Sequence, residues 1–360
     1  MLPYFRKTDR DIAFFEEYIN PRLPARLSDM HLHITRPCDT VHVSQEQIDK
    51  DWAMQCGFRM DEKDLAVYMQ TLWGDRTVSV NAFPMPIRGV DLESANRHLK
   101  NLLDRESGNG QLRIRTAEMA ISPDMNPDAC EEMLLRGNFL GYKPYPDLVS
   151  GEKGADIRIP DFLPDAFMKS LDRNRRAVTI HLPRAGRIAS PDNIRELLEL
   201  RQKFPDVRII IAHYGRSYNT EVIEAAWREM GDDMKGFWFD CAAVVNPAMH
   251  RFMLEHLPQD RIFYGSDMPL LLWHGRRTWE NGTYRNHVRE AFAWSAGLPD
   301  SEEEKESYTF FLYEQMKALL DSTYDQFFIS NFYHFGFSPE VFAPEPFAGS
   351  HNYAQKSIKN

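Results

Sequence analysis

Cysteine is scarce and scattered in this chain. Four residues, Cys38, Cys56, Cys130 and Cys241, are spread over 360 positions. No two form a C-x-x-C pair, which excludes a cysteine-built zinc site and argues for reduced thiols over a disulfide framework. Long apolar runs are also lacking. None approaches the roughly 20 residues that cross a bilayer, and residues 1–7 lack the apolar core of a secretion signal. The expectation is a soluble, cytoplasmic protein. Basic residues are outnumbered, 43 against 53 acidic, for a net charge of −10. That field argues against nucleic acid or an anionic membrane surface as the main partner. An anionic substrate would need a local cluster of arginines. Finally, no glycine-rich phosphate-binding fingerprint follows an early strand, so support for an open dinucleotide-binding sheet is missing.

What is present is 43% hydrophobic residues, enough for a large core, arranged in a repeating alternation. Short apolar, β-rich runs fall near residues 29–34, 77–82, 112–121, 139–143, 177–181, 207–213, 236–241 and 261–267. Helix-start signals recur between them: Asn126-Pro127, Ser190-Pro191 and Asn246-Pro247 each pair an N-cap residue with a proline at the first helical position. The later strands are continuous apolar runs, as parallel strands covered on both faces should be. Eight such units predict an α/β fold, a (β/α)8 TIM barrel, with an open doubly wound sheet as the alternative. The division expected is an N-terminal arm over 1–28 with a short helix around 11–18, a barrel over 29–300, and a C-terminal helical extension over 301–360. The barrel carries an insertion at 36–77 with helices near 44–55 and 61–72. The extension would hold a helix over 301–320 and an aromatic end (Phe327, Phe328, Phe332, Tyr333, Phe335, Phe337) packed on the barrel or on a second subunit, and a homodimer is expected.

The chemistry-bearing residues cluster at strand ends. In Asp29-Met30-His31-Leu32-His33 the two histidines point the same way only on extended backbone, where side chains alternate. They then offer two imidazoles to one point, as metal ligands or as ordinary hydrogen-bonding groups. Lys143 ends the fourth strand, His181 the fifth, His213 the sixth and Asp267 the eighth. In a barrel these ends converge on one mouth, where active sites of this fold lie. Asp267 is the only carboxylate in this set. Arg184, Arg187 and Arg216 follow strand ends closely and could clamp a carboxylate bidentately or stand as solvated loop residues. Trp73, Phe83, Trp273 and His274 could wall the mouth or pack elsewhere.

Taken together, Asp29–His33, Gly141-Tyr142-Lys143-Pro144-Tyr145-Pro146, Thr179-Ile180-His181, Ile211-Ala212-His213 and Tyr264-Gly265-Ser266-Asp267-Met268-Pro269 resemble the amidohydrolase superfamily. The closer resemblance is to the branch containing hydrolases and decarboxylases of the aminocarboxymuconate-semialdehyde type. It covers roughly residues 28–270. It implies that His31, His33, His181 and Asp267 bind a divalent metal, zinc first and manganese or iron as alternatives. It further implies that His213 orients substrate, moves a proton or joins a second metal. Lys143 matches the position of a carboxylated, metal-bridging lysine in some members, although this branch often leaves that lysine unmodified. A bound ion would acidify water and polarise a substrate carbonyl, with Asp267 or His213 carrying the proton. The first functional expectation is therefore hydrolysis of a small, carboxylated substrate at an amide, lactone or related bond. The second is non-oxidative decarboxylation of an aromatic or unsaturated acid. A non-catalytic barrel with a structural metal is a third, disfavoured because such a site would not need His213.

Overall fold

The computed structural model describes residues 2–104, 111–149, 157–280 and 283–322. Eight strands form one sheet in sequence order: β1 (Arg26–His33), β2 (Thr77–Phe83), β3 (Leu112–Ile121), β4 (Gly141–Pro144), β5 (Ala177–Ile180), β6 (Arg208–Ile211), β7 (Trp238–Asp240) and β8 (Ile262–Phe263). Every neighbouring pair is parallel. The ring closes because the chain after β8 runs beside β1. Met30 N–H donates to the Tyr264 carbonyl, Asp267 N–H to His31, and His33 N–H to Met268. The protein is thus the expected (β/α)8 barrel.

Local sequence explains the regularity. Strands β4, β5, β7 and β8 are buried along their whole length, as sheet strands flanked by helices and facing a filled interior must be. The helices start where the caps say. Asn126 accepts hydrogen bonds from the backbone of Asp128 and Ala129 to open Pro127–Arg136, and Asn246 accepts one from Ala248 to open Pro247–His256. At Gly141 a Cβ would lie 1.7 Å from the Ala177 carbonyl oxygen, so β4 and β5 approach too closely there for any side chain.

Two expectations need correction. The helix expected over 301–320 is two helices, Glu302–Glu306 and Phe311–Ser322. The stretch between them is held by the N-terminal arm, where Phe310 N–H donates to buried Asp11. An antiparallel hairpin not anticipated from the sequence, β9 (Gly275–Glu280) with β10 (Thr283–Val288), follows β8. The Asn281-Gly282 pair between its strands is the short-range hairpin signal that would have found it.

The N-terminal arm is docked on the barrel. Thr8 and Asp11 form a reciprocal capping box for the helix Asp9–Phe14. Asp11 also meets His274 Nε2 at 3.1 Å, while His274 Nδ1 meets Glu290 at 2.6 Å. This buried ionic triad joins arm, hairpin flank and C-terminal segment. His274 therefore packs in that triad and not in the mouth. The aromatic end expected from Phe327 to Phe337 lies outside the described residues. No helix among the described residues is long and apolar enough to cross a membrane.

Candidate metal centre

The barrel brings the strand-end residues together. His31, His33, His181, His213 and Asp267 are all buried at one mouth. His31 Nε2 and His33 Nε2 lie 3.4 and 3.3 Å from the same Asp267 oxygen, Oδ1. His181 Nε2 and His213 Nε2 are 2.7 Å apart. Two overlapping donor triads result, His31–His33–Asp267 and His31–His181–His213, each with its ligand atoms within 4.8 Å of one another. His31 belongs to both.

Asp240, at the end of β7, sets the orientation of this cluster. Its Oδ2 accepts from His31 Nδ1–H at 2.9 Å, and its Oδ1 accepts from the backbone N–H groups of His213 and Ala242. With Nδ1 committed to a carboxylate, His31 turns the Nε2 lone pair into the mouth, where that buried atom has no hydrogen-bond partner. His213 is fixed in the same sense, because its Nδ1 lies 2.9 Å from the Ala242 carbonyl, which can only accept. Asp267 is therefore not the only carboxylate in the constellation. The sequence signal for Asp240 was its place at the end of an apolar strand, Trp238-Phe239-Asp240. Asp29, deeper in β1, accepts from the backbone of His31 and Ser266 and so ties the Asp267 turn to β1.

Lys143 sits behind His181, its Nζ 3.1 Å from His181 Nδ1. A charged ammonium there donates to Nδ1 and leaves the ring proton on Nε2, facing His213. A neutral amine accepts from Nδ1–H and frees Nε2 as a ligand. Burial pushes Lys143 down to about 8, against the opposing pull of Asp240, Glu118 and Asp267. Beneath it, Glu118 accepts from Asn81 and Thr179, and burial raises its carboxyl to about 7.

The charge states suit a cation. Burial depresses His31 to about 4 despite Asp240. Burial likewise lowers His33 against the pull of Asp267, and lowers His181 with help from Lys143. Asp267 is held below the usual carboxylate range: burial opposes its charge, but the His33 hydrogen bond and the surrounding imidazoles outweigh it. Neutral imidazoles around an ionised carboxylate, with one Nε2 unpartnered, are a donor set that fits a divalent metal.

The loops that carry these groups are strained. His213, Tyr214 and Arg216 have φ of 55°, 50° and 62°, Ala243 59° and Asp267 57°. Non-glycine residues in this left-handed region persist only where the surroundings over-determine them, and they concentrate at functional sites. Asp267 is held by its backbone bond to His31.

Above the cluster opens a cavity of about 520 Å³, within the range of small-molecule sites. His33, His181, His213 and Asp267 line it together with Tyr145, Met85, Leu270, Leu271 and Trp273. Of the three arginines singled out in the sequence, Arg216 lines the cavity and donates to the Leu182 carbonyl. Arg184 also lines it, but its guanidinium is paired with Glu196 at 2.6 Å and bound to Asn193. Arg187 is not among the lining residues; it donates to the Arg216 carbonyl and stacks over Tyr218 and Tyr284. Trp73 is buried in the helix Glu62–Trp73 against Tyr313 and stands outside the cavity lining, because its helix turns that face toward the core. Arg277 of β9 lines the cavity and had no sequence signal beyond the overlooked hairpin.

A (β/α)8 barrel with a buried histidine–carboxylate cluster at its mouth defines the class. The amidohydrolase family model matches residues 133–306, just under half of the chain, a stretch that includes Lys143, His181, His213, Asp240 and Asp267. That match falls on the family the motifs resemble, and the fold is the (β/α)8 barrel. No curated protein matches it. Similar solved structures include a 5-carboxyvanillate decarboxylase from Sphingomonas paucimobilis (11% identity, 86% of this chain and 99% of that one, TM-score 0.49). A dihydroxybenzoic acid decarboxylase from Polaromonas with bound manganese is 14% identical over 83% of this chain and 99% of its own (TM-score 0.47). A 4-oxalomesaconate hydratase from Rhodopseudomonas palustris is 16% identical over 82% and 98% (TM-score 0.47).

Proposed function

We propose that this protein is a metal-dependent hydrolase of a small, carboxylated substrate, cleaving an amide, lactone or related bond. The observation that carries the reading is the cluster itself: two imidazoles, His31 and His213, whose Nε2 lone pairs are fixed by Asp240 and Ala242, beside an ionised Asp267 that lines the cavity with His213. His31, His33, His181 and Asp267 would hold the ion, zinc before manganese or iron, and the bound ion would supply an acidified water and a polarised carbonyl. Asp267 takes up the water's proton at its carboxylate and hands it to the leaving group, while the Nε2 lone pair of His213 accepts a hydrogen bond that orients the reacting group. Arg216 at the cavity wall offsets the protein's overall negative charge, which would otherwise repel a carboxylated substrate.

One feature favours decarboxylation of an aromatic acid as a second reading. The apolar wall of Met85, Leu270, Leu271 and Trp273 suits a flat ring and keeps water from the carbanion that loss of CO2 creates. The two readings part in one experiment. Purified protein is analysed for metal, then given a panel of aromatic acids with headspace CO2 measured and a panel of lactones and amides with hydrolysis measured. Metal near one equivalent with hydrolysis supports the first reading, and CO2 release without hydrolysis replaces it with the second. Protein that neither carries nor takes up a transition metal defeats both.

A further inference from the structure

Arg277 is 8% exposed, lines the cavity, and has no carboxylate partner among the described residues. A buried guanidinium without a counter-ion is costly. What surrounds it meets only part of its needs. Nε donates to Asn286 at 2.8 Å and Nη1 to the Ala243 carbonyl at 2.7 Å, two of its five N–H donors. The rings of Tyr218 and Tyr284, each 4.6 Å from Cζ, pack against it together. None of these groups carries a formal negative charge. Arg187, stacked on the same two tyrosines, adds repulsion.

We infer that Arg277 is the receptor for an anionic group on the substrate, separate from the group that reacts at the histidine cluster. The inference rests on the proposed function and narrows its substrate to molecules with two polar ends, one of them anionic. The spacing between the ends is built into the backbone. Ala242 offers its carbonyl to His213 Nδ1, and the next residue, Ala243, offers its carbonyl to Arg277. Two contacts bridged by one residue keep the guanidinium within roughly 10 Å of the His213 ring. The left-handed φ of 59° at Ala243 fixes how these carbonyls diverge. Tyr218, which packs against Arg277, lines the same cavity as His213 and Asp267. One small ring or a short chain would bridge such a distance. The planar fork of Arg277, held by Asn286 and the two tyrosines, is preorganised for a carboxylate.

The test is isothermal titration of the metal-loaded protein with isophthalate and glutarate, each compared with its monomethyl ester. A charge-assisted bond of this kind should make the diacids bind about ten- to a hundredfold more tightly than the esters. R277M should erase that preference while leaving metal content unchanged, and R277K should retain part of it by keeping the charge without the fork. R277K also serves if R277M does not fold. Equal binding of diacid and ester by the wild type, or a full preference surviving in either variant, would overturn the inference. Repeating the titrations on chelator-treated protein keeps the two ideas apart. A diacid preference there, alongside a chain that takes up no metal, would sink the metal-dependent reading and leave Arg277 as the anion receptor.

Discussion

Replacing Asp240 by asparagine probes the centre without touching a residue that faces the cavity. Asp240 is buried and makes three hydrogen bonds, from His31 Nδ1, His213 N and Ala242 N. Its carboxyl is held well below the ordinary range, since His31 and His213 outweigh the burial that opposes its charge. Alanine here would strand three buried donors at about 1–3 kcal/mol each, a sum of the order of the whole stability of a typical domain; D240A should fail to fold. Asparagine keeps an oxygen for the two backbone donors, so D240N should fold. It removes the anion behind His31, and with it the force that keeps the proton on Nδ1 and the lone pair on Nε2. Loss of such a partner lowers metal affinity about 10–100-fold, or about 1.4–2.8 kcal/mol. That range matches the 1.5–3 kcal/mol expected for one charge-assisted hydrogen bond. Competition of zinc between the protein and a chromophoric chelator measures the affinity, and circular dichroism on the same sample certifies the fold. A folded D240N binding zinc within twofold of the wild type would refute the reasoning, because Asp240 would then not set the His31 tautomer.

Three further outcomes are expected. D267N should stay folded, since a residue at the mouth does not hold the core, yet turnover should fall about 10²–10⁴-fold if Asp267 carries a proton; a metal-loaded D267N with near-normal rates would assign that proton to His213. Hydrogen bonds with Asp11 and Glu290 outweigh burial and raise His274 to about 9, above its ordinary value near 6.5. The triad's contribution should therefore be complete below pH 6.5 and disappear as pH climbs through 9, worth roughly 3 kcal/mol at most. Melting temperatures from pH 6 to 9.5 read this, and H274Q should flatten the curve. Gly141→Ala, whose new methyl would meet the Ala177 carbonyl at 1.7 Å, should cost about 3 kcal/mol or more in chemical denaturation; a change below 1 kcal/mol would mean that β4 and β5 can separate freely.

Local periodicity made much of this protein legible in its sequence. Asn-Pro and Ser-Pro pairs marked helix starts, and continuous apolar runs marked strands buried on both faces. The count of eight then implied a barrel, and the barrel implied that His31, His33, His181, His213 and Asp267 share a mouth. Tertiary structure alone decided which atoms meet. Asp240 reads as the last residue of an apolar strand, and nothing near it in sequence reveals that its oxygens reach His31, 209 residues away. The three arginines looked alike in sequence, but a salt bridge claims Arg184, aromatic stacking holds Arg187 outside the lining, and Arg216 keeps the cavity. Arg277 belongs to a hairpin that the local pattern announced only by Asn281-Gly282. Trp73 sits where its helix packs against Tyr313, a pairing across 240 residues of chain. The physical reason is common to all of these. Periodicity records which face of an element is buried, whereas the partner a buried side chain meets depends on how distant elements close into a ring.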